Sequence, residues 1–443
     1  MSSAKPVTFL NKGGINQDIS DDEADLLFSQ AIKQACAEVG NVSSVLLIPP
    51  DLTRIHSRAG FLTEIAFREL SRAGISLTVL PALGTHIPLD ENDCKLMFPN
   101  IPLSLFRIHD WRNDVVELGR LEREWVENAT GNTVSFDWPV QVNKLLSDGG
   151  FDLIISIGQV VPHEVAGMAN HAKNLFVGTG GKEAIDKSHY AGAVYGMEKI
   201  LGRSENPVRA MFDEGLRRFG NMLPPTLFAL SVLSPREEKP GLALRGLFCG
   251  FGRDCFTEAA SLASQVNIFL LDKPAEKILV YLDPQKYRST WLGNKAIYRS
   301  RMAIASDGEL LIIAPGLERF GEDIEIDALI RKYGYRPALN ANKDLAENLC
   351  AAAHLIHGFS EGRFTVRYFP GPGLSRQEIE AVGFKWGDIK ETENYNLDKA
   401  KDGWNTANNG ERVFFISDPA MGLWANGELL IPPLDSNPIN CII

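Results

Sequence analysis

Short apolar runs that stop abruptly at proline, glycine or polar loops constrain this chain more than any other feature. Residues 44–48 give way to Pro49-Pro50-Asp51, residues 75–80 to Pro81-Ala82-Leu83-Gly84, and residues 151–158 to a polar segment carrying Pro162 and His163. Runs this short and this apolar read as buried strands. Between the first two, residues 60–72 have helical spacing and end near Gly74. Further strands are expected near 227–234 and 244–250. This βαβ rhythm predicts a mostly parallel sheet covered by helices.

At 443 residues the chain exceeds one ordinary core. Near Lys273-Pro274-Ala275-Glu276 the rhythm restarts, with strands over 277–283, 309–315, 364–369 and 412–416 and helices over 292–305 and 327–335. The fold class expected is therefore α/β in two domains, each a mostly parallel sheet covered by helices, with the active site in the interdomain cleft. The domains are expected at 1–272 and 273–419. The tail 420–443, with Leu429-Leu430-Ile431-Pro432-Pro433, is expected to return to the first.

The formal net charge of -11, with no basic tract to offset it, argues against nucleic acid as a partner. Met1-Ser2-Ser3-Ala4-Lys5-Pro6 has no apolar leader character, and no stretch approaches a membrane span, so a cytoplasmic protein with no membrane partner is expected. Six scattered cysteines without a CxxC fit reduced thiols, and Cys441, third from the end, makes no prenylation box.

Six of the eight histidines fall between positions 56 and 189. His163, His171, Lys173 and His189 follow the apolar run 151–158, where loops past the carboxyl end of a strand carry chemistry in α/β proteins. Asp51-Leu52-Thr53-Arg54 also follows a strand. It suits holding a phosphate, a ribose or a carboxylate, or else is an Asp N-cap beside a surface arginine. Gly84-Thr85-His86-Ile87-Pro88 places a histidine at a sheet edge, for acid/base work or for a backbone hydrogen bond. His109-Asp110 and the pair His354, His357 read better as packing. Gly178-Thr179-Gly180-Gly181 fits neither standard nucleotide-binding motif, and His56 and His171 receive no role.

Together these motifs resemble the nickel-pincer nucleotide lactate racemase family of 2-hydroxyacid racemases and epimerases. The family's Asp-x-Thr-Arg loop corresponds to Asp51–Arg54 and its Gly-x-His-x-Pro loop to Gly84–Pro88. Its Pro-His-x-x-Ala-Gly corresponds to Pro162–Gly167, with Lys173 ten residues after His163 and His189 sixteen after Lys173. The resemblance implies that Lys173 joins covalently to a pyridinium-3-thioamide-5-thiocarboxylate mononucleotide whose nickel takes His189 as its protein ligand. It further implies that Asp51, Thr53, Arg54 and Gly167 seat the cofactor and that Arg54 and Lys295 hold the substrate carboxylate. His86 and His163 are then the acid/base pair, one for each enantiomer's hydroxyl. The partners implied are a small 2-hydroxy acid and the cofactor biosynthesis proteins.

Three departures stand out. The family's Ser-Gly-Gly-Arg-Lys is Ala169-Asn170-His171-Ala172-Lys173, which is expected to change the loop behind the cofactor. The arginine often found after the second motif's histidine is Ile87, and a glutamine three residues before the second-domain lysine is Leu292. The last departure suggests an apolar or larger substrate than lactate. Two other functions compete: a divalent-metal lyase or hydrolase with His163, His171 and His189 as ligands, and a non-catalytic cofactor-binding protein.

Overall fold

The computed structural model describes residues 7–236, 241–335 and 343–427. These fall into two compact units. One comprises residues up to 188 with 202–267, the other residues 189–201 with the described residues from 268 onward.

The first unit contains β1 (Val7–Gly13), β2 (Ser44–Ile48), β3 (Ser76–Val79), β4 (Val115–Leu121) and β5 (Trp138–Asn143). β6 (Leu153–Gln159), β7 (Pro162–His163), β8 (Gly167–Met168), β9 (Thr226–Pro235) and β10 (Leu242–Phe251) follow. Its main sheet runs β1-β10-β9-β6-β2-β3, with β9, β6, β2 and β3 mutually parallel. β10 lies antiparallel to β9 and to β1, so this edge departs from the parallel reading. Only residues 236–241 separate β9 from β10, and a parallel crossover needs roughly a dozen residues or more. On one face, Leu47, Ile155, Ile157 and Ala229 pack with Phe28, Leu62, Ile65 and Ala66 of the helices Asp21–Val39 and Ala59–Arg72. The first of these helices starts where Ser20 accepts from the Glu23 N–H at 3.2 Å. Asp21, Asp22 and Glu23 in its first turn suit the positive end of the helix dipole.

The second unit contains β11 (Ile268–Leu271), β12 (Ala275–Tyr281), β13 (Ile304–Ala314), β14 (Thr365–Pro370) and β15 (Lys385–Trp386). β16 (Gly403–Thr406), β17 (Arg412–Ile416) and β18 (Leu423–Asn426) complete it. Its sheet runs β15-β14-β13-β12-β17-β16, parallel except for β16, while β11 pairs in parallel with β18. The helix expected over 292–305 is instead two short helices, Thr290–Gly293 and Lys295–Ser300, because Ala303 and Ile304 are drawn into pairing with Ala275. Residues 420–427 do not return to the first unit: β18 holds them in the second. The remainder of that tail, 428–443 with Cys441, and Met1–Pro6 lie outside the described residues. No helix among the described residues is long and apolar enough to cross a membrane.

Candidate active site

Pairing between β2 and β3 continues past the strand ends, through a parallel bridge between Pro50 and Ala82 and the Ala82 N–H on the Pro49 carbonyl at 2.7 Å. The two following loops are thereby laid side by side. Asp51 caps the 3-10 turn Leu52–Ser57, one carboxylate oxygen accepting from the Thr53 N–H at 3.2 Å and the Thr53 hydroxyl at 2.6 Å. Its other oxygen meets His86 Nδ1. Gly84, at φ +57° and with its N–H on the Gly178 carbonyl at 2.8 Å, turns the chain tightly enough to deliver His86 there. An ionised carboxylate only accepts, so His86 carries its proton on Nδ1 and keeps the lone pair on Nε2. Asp51 is buried and His86 half-buried. The carboxylate fixes the orientation of the imidazole ring.

His163 is held differently. β7 and β8 form a hairpin of two residue pairs, Pro162 with Met168 and His163 with Gly167. The hairpin closes on its own histidine: Val165 and Ala166 donate their N–H groups to His163 Nδ1 at 3.1 and 3.3 Å. With Nδ1 accepting, the proton sits on Nε2. His163 Nδ1 thus accepts where His86 Nδ1 faces a carboxylate, so the two imidazoles are held by different kinds of partner.

The loop from 169 to 181 is stitched to the sheet. Asn174 donates to the Ser156 hydroxyl at 2.9 Å, and its N–H meets the His171 carbonyl at 2.8 Å. Half-buried Lys173 sits between, just before the π-helical turn Asn174–Gly178. Asn170 and His171, which stand where the family has two glycines, lie in the left-handed region with φ +70° and +57°. Asparagine tolerates this region through local hydrogen bonds, and Asn170 Oδ1 accepts from the His171 N–H at 2.7 Å. The His171 ring lies against Phe228 and Phe256, with centroids 4.1 and 5.2 Å away, and Nε2 donates to the Gly252 carbonyl at 3.1 Å. Burial holds His171 below the ordinary histidine range despite Asp213 beside it. Fully buried Arg209 donates to the carbonyls of Met168 and Asn170, and burial pushes its pKa down to about 10. Neither role was visible in the sequence, because an arginine on an amphipathic helix gives no sign of which carbonyls it will meet.

Gly167, buried at φ +75°, faces His163 across the hairpin, and Arg54 follows Thr53 in the 3-10 turn, where its Nη1 is buried without a hydrogen-bond partner. The site residues Asp51, Thr53, Arg54, His86, His163, Gly167 and Lys173 all belong to the first unit. His189, half-buried on the helix Lys182–Tyr195, and buried Lys295, first residue of Lys295–Ser300, belong to the second. His109 is a packing residue, donating from Nε2 to the Gly180 carbonyl and accepting at Nδ1 from Asn143, both at 3.0 Å. His354 lies between the Tyr298 and Tyr335 hydroxyls at 2.9 and 2.8 Å, which fits its packing reading. Leu292 is part of the second unit's core, so it offers no argument for an apolar substrate.

No group of three or more His, Cys, Asp or Glu residues among the described residues is placed to hold a metal ion. His171, one of the three histidines considered as metal ligands, meets the Gly252 carbonyl through Nε2 and stacks on its aromatic neighbours. A metal that brings most donors on its own organic carrier and takes one imidazole remains compatible with these residues.

In this α/β fold the loops that follow parallel strands carry an Asp–His pair, a second histidine and a loop lysine. Residues 29–199 match the family model described as the lactate racemase N-terminal domain, so over this stretch the chain is lactate racemase-like, as its motifs indicate. A protein of known crystal structure from Thermotoga maritima matches at TM-score 0.78 and 21% identity, covering 94% of this chain and all of that one. The lactate racemase apoprotein from Thermoanaerobacterium thermosaccharolyticum matches at TM-score 0.64 and 15% identity, over 92% of this chain and 93% of that one. Both share the two-domain α/β fold. No curated protein matches the sequence.

Proposed function

We propose that the protein is a racemase or epimerase of a 2-hydroxy acid that works with a nickel-pincer nucleotide. The observation that carries this reading is the hydrogen bond between Asp51 and His86, with His163 Nδ1 accepting from two backbone N–H groups. The resemblance gives Lys173 as the covalent attachment point and His189 as the nickel ligand, with Gly167, Thr53 and Arg54 around the nucleotide. When bound, the cofactor supplies an acceptor for the hydride on the substrate's Cα. Arg54 and Lys295 are the proposed carboxylate anchors, which orient the reacting carbon.

The protein's own part is proton transfer. His86 Nε2 takes the hydroxyl proton as the C–O bond gains carbonyl character, and Asp51 stabilises the imidazolium that results. His163 Nε2–H donates to the same oxygen and offsets its negative charge, as an oxyanion-hole donor does. The planar 2-keto acid could then be reduced from either face, and the proton returns from His86. Asp51 is thus a positioning residue for His86, a role beyond seating the nucleotide.

Rates on cofactor-loaded protein test this reading, using a panel of lactate, malate, 2-hydroxybutyrate and phenyllactate. His86→Gln and Asp51→Asn should each lower kcat by roughly 10²–10⁴-fold. His163→Gln, which keeps an N–H donor, should retain turnover that His163→Ala loses by a further roughly 10²–10³-fold. Equal losses in His86→Gln and His163→Gln would contradict the unequal roles. Loaded protein that interconverts no 2-hydroxy acid would overturn the function.

A further inference from the structure

One buried amide in the first unit is left without hydrogen bonds. Gln159, last residue of β6, is 5% exposed, and both its Nε2 and Oε1 are buried with no partner. Side chains alternate along a strand. Leu153, Ile155 and Ile157 belong to the core against the helix Ala59–Arg72, so Gln159 shares their face. Its neighbour in register, Ser231, donates its hydroxyl to the Ser57 carbonyl at 3.0 Å. Gln159 therefore sits at the 3-10 turn Leu52–Ser57, which carries Arg54 and is capped by Asp51, the residue that holds His86. The opposite face, with Ser156 and Gly158, meets the Lys173 loop through Asn174 and Asn170.

A buried amide with neither partner destabilises the fold, and such groups are rare enough that each calls for a reason. Gln159 offers one donor edge and one acceptor, and Arg54 Nη1, also buried and unpartnered, adds a second donor. The two donors match a carboxylate. The acceptor needs an O–H, and the 2-hydroxyl is already committed to His86. The geometry points to a substrate with another hydroxyl: a 2,3-dihydroxy carboxylic acid, read by Gln159 Oε1 at the 3-hydroxyl and by Gln159 Nε2 and Arg54 at the carboxylate. This inference rests on the 2-hydroxy acid reading above and narrows it.

Glycerate and lactate differ by that one hydroxyl and make the test. Wild type should favour glycerate over lactate at least about tenfold in kcat/KM, mainly through KM, because a site built to bond a hydroxyl rejects the analogue without it. Gln159→Met, similar in length but apolar, should erase the preference and raise the melting temperature of the unloaded protein. Gln159→Glu keeps the acceptor but repels the carboxylate, so it should weaken both substrates. In unloaded wild type, glycerate should raise the melting temperature more than lactate does, and this difference should vanish in Gln159→Met. Equal use of both acids by an active wild type, or a preference that survives Gln159→Met, would overturn the proposal and leave the racemase reading standing. A lower melting temperature in Gln159→Met would mean that a buried water satisfies the amide, which overturns it as well. If loaded wild type turns over no 2-hydroxy acid and the unloaded protein does not distinguish the two, both readings fall.

Discussion

Histidines with the same side chain do four different things in this molecule, and their neighbours decide which. His86 faces a carboxylate and His163 faces two backbone N–H groups, so their protons sit on opposite nitrogens. His171 and His109 are buried and neutral. The motifs put His86 and His163 just past strand ends but could not separate their hydrogen-bond partners, since a tautomer depends on contacts 35 residues away in the case of His86 and Asp51. His109 gives a pH test. Burial pushes it down to about 4 from 6.5, because the charged imidazolium loses its hydration there, and the Gly180 carbonyl only partly offsets this. Its folded pKa is depressed, so its contribution to stability is present above pH 6.5 and is lost as pH falls toward 4. A shift of that size corresponds to about 3 kcal/mol. Unfolding free energy measured across this window should fall with acid, and His109→Gln should flatten the fall. Parallel curves for the two proteins would contradict the assignment.

At the scale of elements, strands and their loops were largely legible. Apolar runs of the right length become β2, β3, β6, β9 and β10, because such runs can only be buried and their breakers are proline and glycine. Their direction was less legible: the β9–β10 link is short, and its consequence for the parallel reading follows from reach alone. The break within 290–305 was also hidden, since helical spacing there is overridden by pairing of Ala303 and Ile304 beside Ala275. The β7–β8 hairpin is where an element most directly makes the site. Its turn depends on Gly167 at φ +75°. Gly167→Ala should cost about 1–2 kcal/mol of stability through left-handed strain, read as a lower urea midpoint, and should disturb the His163 ring that the hairpin encloses. An unchanged midpoint would show that the hairpin tolerates a side chain there.

On the scale of the whole molecule, the chain forms two α/β units, and residues 29–199 match the family model of the lactate racemase N-terminal domain. The motif spacing from Asp51 to His189 was the most specific signal in the sequence, and the family match covers that same stretch. Residues that tune the site, Gln159 and Arg209 above all, carried no motif; their roles depend on which carbonyls and strands the fold brings beside them. The central claim concerns Lys173 and the group it is proposed to carry. Intact mass and nickel content, measured on protein coexpressed with the cofactor-building enzymes, test it most directly. Wild type should gain the mass of about one nucleotide with bound nickel, and Lys173→Ala should gain neither. Wild type without an adduct, under conditions that load a known lactate racemase, would contradict it.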